Sequence, residues 1–165
     1  MFTSDLSATT QAAVAQRGVY DLATFFGEGN AYRLVEWAFG GLPFDPRFRA
    51  LMTRESPFHA AGDIQTPLLI MHGEKDLRTG VSQSSMLFRA VKASGGLVEY
   101  VRYPEADHDL SRRGDPVVQM DRLLRILEFF SRFVGPIVVE SGSETPWSTE
   151  NLGPAEVSGP SAHVV

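Results

Sequence analysis

A continuous apolar run from Thr66 to Gly73 constrains the fold of this chain more than any other feature of its sequence. Pro67 stands near its start and Gly73 closes it. The residues between them are all but one apolar: Leu68, Leu69, Ile70, Met71 and His72. A strand with one wet face would alternate apolar and polar residues, and this run does not. We therefore predict a strand that is covered on both faces by other parts of the protein.

Two further strands are predicted on either side of this one along the chain. The first is the short apolar run Ala12–Gln16, and the other is Leu97–Tyr103, which Pro104 ends. Apolar residues recur at helical spacing over Ser82–Ser94, and two glycines follow as a stop signal. A strand, a helix and a second strand in this order indicate a parallel pair with a crossover helix. We predict an α/β fold with a short, mostly parallel sheet flanked by helices.

The remaining segments differ in character. Asp115-Pro116 is an N-cap followed by a first-turn proline, and we predict a long helix from there to about Val134. One apolar face of this helix comprises Val117, Met120, Leu123, Leu124, Leu127 and Phe130. Short helices are predicted around residues 32–39 and 46–54, in a connection rich in aromatic residues and Gly. Residues 135–165 are rich in Ser, Gly, Pro and Glu, so we predict one domain over 1–134 and a disordered tail.

Composition excludes several classes of function. The chain of 165 residues has 20 acidic and 15 basic side chains, so it offers no general basic surface for nucleic acid or an anionic membrane. No apolar stretch reaches the roughly 18 residues that span a bilayer. The absence of cysteine excludes disulfides and thiolate metal sites and is compatible with a reducing compartment. We expect a cytoplasmic protein without a cofactor or a metal.

Two loops at strand ends carry the residues that are best suited to take part in catalysis. Residues 72–78 follow the second strand, and residues 104–109 follow the third. Ligands and catalytic groups in open α/β sheets lie beyond the carboxyl ends of the strands. Asp76 and, about thirty residues later, His108 occupy these loops, in the order of the last two members of a Ser, Asp, His triad. In such a triad the Asp holds the imidazole tautomer and the imidazole acts as general base.

The motifs around these two residues resemble the end of a catalytic domain of the prolyl oligopeptidase family, in particular its acylaminoacyl-peptidase branch. The matching segments are Ser56-Pro57, Ile64–Arg78, Val101–Pro104, His108 and Leu110–Arg112, with support from Ala12–Arg17 and Glu36–Gly41. The similarity covers roughly residues 11–134. It implies a serine peptidase of the α/β-hydrolase fold that acts on peptides or acyl-peptides. It also assigns Asp76 as the triad acid and His108 as the triad base.

The sequence departs from the family in several places. No Gly-x-Ser-x-Gly elbow occurs among the 165 residues, so the nucleophile, the oxyanion-hole donors and the earlier strands are lacking, as is the family's propeller. We therefore expect a partial α/β-hydrolase domain that is inactive in isolation. Asp107 and Asp109 replace the glycines that usually flank the catalytic His, and their charges would favour an imidazolium. Gly80 replaces a common proline in the loop of Asp76.

Other roles stay open for these residues. Asp76 could be a turn cap, and His108 an ordinary loop histidine. His72 is expected to be hydrogen-bonded at the strand end in a structural role, and a metal site of His72, Asp76 and His108 is a minor alternative. Arg17, together with other arginines, is expected to brace loops by pairing with carboxylates.

Two functions remain at this point. The first is the Asp and His half of a serine peptidase, completed by a Ser from elsewhere. The second is a truncated, non-catalytic fragment that acts by self-association or by binding a partner. Because the edge of the first strand would lack its neighbour, we expect either a homo-oligomer or a complementing chain.

Overall fold

The computed structural model of this protein describes residues 10–135 and the two-residue strand His163–Val164. Its elements are β1 (Ala13–Gln16), α1 (Leu22–Glu28), α2 (Arg33–Phe39), α3 (Pro46–Glu55), a 3-10 helix (Pro57–Asp63), β2 (Leu68–Gly73), α4 (Val81–Ala93), β3 (Val98–Tyr103), α5 (Pro116–Val134) and β4 (His163–Val164). Apart from Gly135 and β4, the tail predicted to be disordered lies outside the described residues. Among the helices that are described, none is long and apolar enough to cross a membrane.

The strands form one sheet in the order β1-β2-β3-β4. The first three are parallel, with Ala13 opposite Leu68 and Leu68 opposite Val98. This confirms the predicted α/β fold and its short, mostly parallel sheet flanked by helices. The short β4, which the sequence analysis did not predict, pairs antiparallel with β3.

Strand β2 lies at the centre of two apolar layers, as its unbroken apolar sequence predicts. All six of its residues are buried. Ile70 belongs to a cluster with Leu87 and Val91 of α4, whereas Met71 belongs to a cluster with Phe129 of α5 on the other face. Successive side chains of a strand point to opposite faces, so alternate residues of β2 pack on α4 and on α5.

Helix α5 packs on the sheet through a different face from the one that the apolar spacing suggests. Five of the six residues of the predicted face are substantially exposed: Val117, Met120, Leu123, Leu124 and Leu127. Phe129 and Val118 are buried instead. The helix is apolar around more than half of its circumference, so spacing alone cannot fix its rotation. Polar contacts to β3 accompany the observed rotation: Asp121 accepts a hydrogen bond from Tyr103, and Arg132 pairs with Glu99.

The long connection between β1 and β2 forms a small helical layer of its own. Helices α2 and α3 lie where the sequence predicts them, whereas α1 and the 3-10 helix were not predicted. Asp21 caps α1 by accepting a hydrogen bond from the Thr24 amide at 2.7 Å. Phe25, Val35 and Met52 form the core of this layer. The layer therefore has a packed interior and can hold a fixed shape beside the sheet edge.

Candidate active site

Asp76 lies in a tight turn directly after β2 and is almost completely buried, with 4% of its surface exposed. One carboxylate oxygen, Oδ1, accepts hydrogen bonds from the backbone amides of Arg78 at 2.9 Å and Thr79 at 2.8 Å. An Asp that binds the amides two and three residues ahead of it stabilises such a turn. The predicted capping role of Asp76 is therefore real, but it uses only one of the two oxygens.

The second oxygen of Asp76 binds His108, which follows β3. The distance from His108 Nδ1 to Asp76 Oδ2 is 2.8 Å, across 32 residues of sequence. β2 and β3 are parallel neighbours, so the loops at their carboxyl ends emerge side by side. The sheet thus brings together the two residues that the sequence analysis singled out.

The hydrogen bond to Asp76 fixes the proton of the His108 ring. A carboxylate can only accept, so Nδ1 carries the hydrogen and Nε2 of the neutral ring keeps its lone pair. Within the described residues, Nε2 makes no hydrogen bond, and 28% of the side chain is exposed. The ring is therefore arranged to accept a proton from a group that approaches from outside.

The environment of Asp76 holds its carboxyl group in the ionised form. Burial alone would raise its pKa, but hydrogen bonds from His72, the Thr79 amide and His108 outweigh burial and lower the pKa to about 2. At neutral pH the carboxylate is charged, which is the state that can stabilise a protonated imidazole.

This lowered pKa predicts an acid-dependent contribution of Asp76 to stability. The folded-state pKa is about 2 and the ordinary value is 3.8, so the contribution is present above about pH 4 and is lost as the pH falls toward 2. A separation of nearly two units corresponds to about 2 kcal/mol. Urea unfolding should show that Asp76→Asn destabilises the chain more at pH 6 than at pH 2.5. An equal free-energy difference at both pH values would contradict this assignment.

His72, the last side chain of β2, lies behind this pair and is completely buried. Its Nδ1 is 2.6 Å from Ser84 Oγ, and its Nε2 is 2.8 Å from the Thr79 carbonyl oxygen. This agrees with the predicted hydrogen-bonded ring at the strand end. The same Nε2 also lies 3.2 Å from Asp76 Oδ2, a contact that the sequence did not indicate.

The loop of His108 is held against the sheet by two contacts. A Cβ on Gly73 would come within 2.3 Å of the Ala106 carbonyl oxygen, so only glycine allows this loop to lie so close to β2. Arg17, directly after β1, donates a hydrogen bond to the His108 carbonyl oxygen. Arg17 therefore braces the loop as predicted, but through a backbone carbonyl instead of a carboxylate.

The geometry thus unites Asp76 and His108 at the carboxyl edge of a parallel sheet, and the sequence as a whole agrees with it. The profile of the prolyl oligopeptidase family, Peptidase S9, matches residues 5–136. The chain belongs to this family. This membership confirms the resemblance found in the sequence.

Relatives in the prolyl oligopeptidase family are much longer than this chain. It is 35% identical over 123 residues to the uncharacterized peptidase YuxL of Bacillus subtilis, which covers 74% of this chain and 18% of that protein. It is 31% identical over 111 residues to the human acylamino-acid-releasing enzyme, covering 62% of this chain and 15% of the relative. The chain therefore spans less than a fifth of the length of these relatives.

Solved structures of similar fold include an acylaminoacyl peptidase. The Pyrococcus horikoshii enzyme superposes with a TM-score of 0.70 at 23% sequence identity, over 79% of this chain and 21% of that one. At this identity the likeness bears on the fold. It confirms that the sheet and its helices form part of an α/β-hydrolase fold.

The two aspartates that depart from the family pattern make hydrogen bonds within their own loop. Asp109 pairs with Arg112, and this hydrogen bond lowers the pKa of Asp109. Asp107 accepts a hydrogen bond from the Asp109 amide at 2.8 Å. Both carboxylates therefore stabilise the loop itself.

An apolar cavity of about 380 Å³ opens beside His108. Its lining includes Leu22, Phe25, Val35 and Phe39 of the helical layer between β1 and β2, together with Arg78, Thr79 and His108. The residues that form the cavity extend from Val19 to His108 in the sequence, so no local motif could have identified it.

The ring nitrogens explain why these side chains do not form a metal site. Within residues 10–135, no group of three His, Asp or Glu residues is arranged to hold a metal ion. His72 uses both ring nitrogens for Ser84 and Thr79, and His108 uses Nδ1 for Asp76. Of these two rings, only His108 keeps a nitrogen, Nε2, that makes no hydrogen bond within the described residues.

Proposed function

We propose that this chain is part of the catalytic domain of a serine peptidase, in which Asp76 is the triad acid and His108 the general base. The observation that carries this proposal is the 2.8 Å hydrogen bond between His108 Nδ1 and Asp76 Oδ2. It leaves Nε2 without a hydrogen bond among the described residues, and His108 lines the apolar cavity. Membership of a peptidase family supports the same reading.

The proposed chemistry follows from the tautomer of His108. Nε2 takes the proton of a serine hydroxyl while the serine oxygen attacks the carbonyl carbon of a peptide bond. The imidazolium is stabilised by the charge of Asp76 and then donates that proton to the departing amine, which leaves an acyl-enzyme. A water molecule then attacks the acyl-enzyme through the same proton transfers, which frees the serine and releases the carboxylic acid product. No cofactor takes part in these steps.

The serine nucleophile comes from outside these 165 residues, because no Gly-x-Ser-x-Gly sequence occurs in them. We place its docking site along β1. Ala13 and Arg17 donate their amides to the β2 side, so the alternate residues Val14 and Gln16 direct theirs to the opposite edge. A preceding part of the same catalytic domain, joined or as a complementing chain, would add a parallel strand there. The isolated chain is then inactive. Among the strands that the structure describes, none pairs with the outer edge of β1, which favours a homo-oligomer.

The substrate in this proposal is a peptide or an acyl-peptide. The cavity beside His108 is lined mainly by aliphatic and aromatic side chains, and its walls carry no acidic residue. It would therefore accept an apolar side chain of the residue next to the cleaved bond.

A non-catalytic fragment is the second candidate function. It is favoured by the lack of an elbow in the sequence and by the exposed apolar face of α5, which includes Met120 at 57% and Leu124 at 57% exposure. Such a face marks an interaction surface. In this case the chain would associate with a partner but would not complete an active site.

Complementation distinguishes the two functions. A fragment of a family member that carries the elbow and the strands before it is co-expressed with this chain, and peptide hydrolysis is measured. We expect turnover from the pair and from neither part alone. A pair that forms a stable complex without hydrolysing peptides would favour the non-catalytic function.

The proposed docking edge predicts the effect of one substitution. Val14→Pro removes an amide on the free edge of β1 but none of the bonds to β2, and proline is tolerated on edge strands. We expect Val14→Pro to abolish complementation, while Val14→Ala, the control, retains it. Size-exclusion chromatography of the mixed fragments would show this directly. Normal complex formation by Val14→Pro would place the docking site elsewhere.

A further inference from the structure

Asp76 is surrounded by more hydrogen-bond donors than a triad acid with a single histidine needs. Oδ1 accepts the Arg78 and Thr79 amides, while Oδ2 faces two imidazoles. His108 Nδ1 is 2.8 Å from Oδ2, and His72 Nε2 is 3.2 Å from the same atom. The positive charge of Arg17 also acts on this carboxylate. Apart from its effect on the pKa of Asp76, His72 has no part in the chemistry described above.

The contacts of His72 determine where its proton lies. The Thr79 carbonyl oxygen, 2.8 Å from Nε2, can only accept a hydrogen bond, so Nε2 carries the hydrogen. Nδ1 then accepts from the Ser84 hydroxyl at 2.6 Å. Asp76 Oδ2 lies 3.2 Å from the same nitrogen, so the Nε2 hydrogen, which bonds to the Thr79 carbonyl, also acts on the carboxylate. Because the ring is completely buried, water cannot substitute for either contact.

We propose that His72 is a positioning residue of the active site: its Nε2 hydrogen holds Asp76 Oδ2 in the orientation that His108 requires. This inference rests on the proposed function, because it presumes that Asp76 and His108 act as a pair. The Ser84 hydroxyl, from α4, fixes the ring, and the ring fixes the carboxylate. The series of polar contacts Ser84, His72, Asp76, His108 therefore joins helix α4 to the general base at the edge of the sheet.

The proposal has a consequence that packing alone would not produce. A donor on Oδ2 withdraws part of the carboxylate's charge from the bond to His108. Without that donor, Oδ2 becomes a stronger acceptor, and the proton on His108 Nδ1 is drawn toward it. The NMR signal of that proton should then move downfield. A residue that merely fills space at this position would leave the signal unchanged.

The experiment uses the full 165-residue chain with ¹⁵N-labelled histidine at neutral pH. Ring nitrogen shifts of the unaltered protein should show His72 as the Nε2–H tautomer, and the Nδ1–H tautomer would overturn the proposal without any variant. His72→Asn, whose amide is too short to reach Asp76, should move the His108 Nδ1 proton downfield. His72→Gln, whose amide nitrogen reaches close to the position of Nε2, should restore it. An unmoved signal in folded His72→Asn would also overturn the proposal.

A third variant separates this inference from the proposed function. Asp76→Asn should remove the downfield His108 signal altogether, because the acceptor charge is lost. If the signal is absent already in the unaltered chain, the Asp76 and His108 pair itself is wrong, and the proposed function fails. If the pair is present but insensitive to His72, only the positioning role fails.

Discussion

Asp76→Asn is expected to lower peptide turnover by the completed enzyme about ten-thousand-fold, the size of effect that this change produces in serine proteases. The amide keeps the shape of the side chain, but it offers His108 a neutral partner and favours the wrong imidazole tautomer. Steady-state hydrolysis of a peptide substrate by the complemented pair measures this loss. His108→Ala should reduce turnover comparably, because it removes the base.

Asp109→Asn is the matched control for this experiment. Asp109 directly follows His108 on the same loop, and its carboxylate forms an ion pair with Arg112. We expect turnover to change by no more than a few-fold. Docking of the two fragments should be unchanged in every variant, and turnover that survives in Asp76→Asn would remove Asp76 from the active site.

Phe129→Ala is expected to have the largest effect on stability. Phe129 is completely buried between α5 and the sheet, so its truncation should cost about 3 to 5 kcal/mol. Leu124→Ala, on the exposed face of the same helix, should change stability by less than about 0.5 kcal/mol. Urea unfolding of both variants at low protein concentration makes the comparison. The reverse order of effects would mean that the face predicted from apolar spacing is the one that packs.

The parallel sheet could be predicted because its signals are local. Pro67 and Gly73 delimit a strand whose unbroken apolar sequence already indicates cover on both faces. The rotation of α5 could not be predicted, since apolar residues occur on two faces of the helix and only the fold shows that Val118 and Phe129 pack on the sheet. Strand β4 could not be predicted either, because it has only two residues and the sequence before it shows no apolar periodicity.

Part of the candidate site could likewise be predicted from the sequence, and part could not. Asp76 and His108 were accessible to sequence reasoning because each follows a strand, and adjacent parallel strands bring such loops together. The contacts of His72 with Asp76 and of Arg17 with the His108 carbonyl were not. They depend on the shape of the turn after β2 and on the backbone of the loop after β3, which no residue pattern specifies.

The stoichiometry and site of fluorophosphonate labelling test the central claim most directly, because this reagent reacts only with an activated serine. Intact-mass and peptide analysis should show no adduct on this chain alone. In the complemented pair, we expect one adduct on the elbow serine of the added fragment, formed rapidly with the unaltered chain and very slowly with Asp76→Asn or His108→Ala. An adduct on a serine of this chain, or labelling at the same rate with His108→Ala, would contradict the assignment of Asp76 and His108 as the acid and base of a serine peptidase.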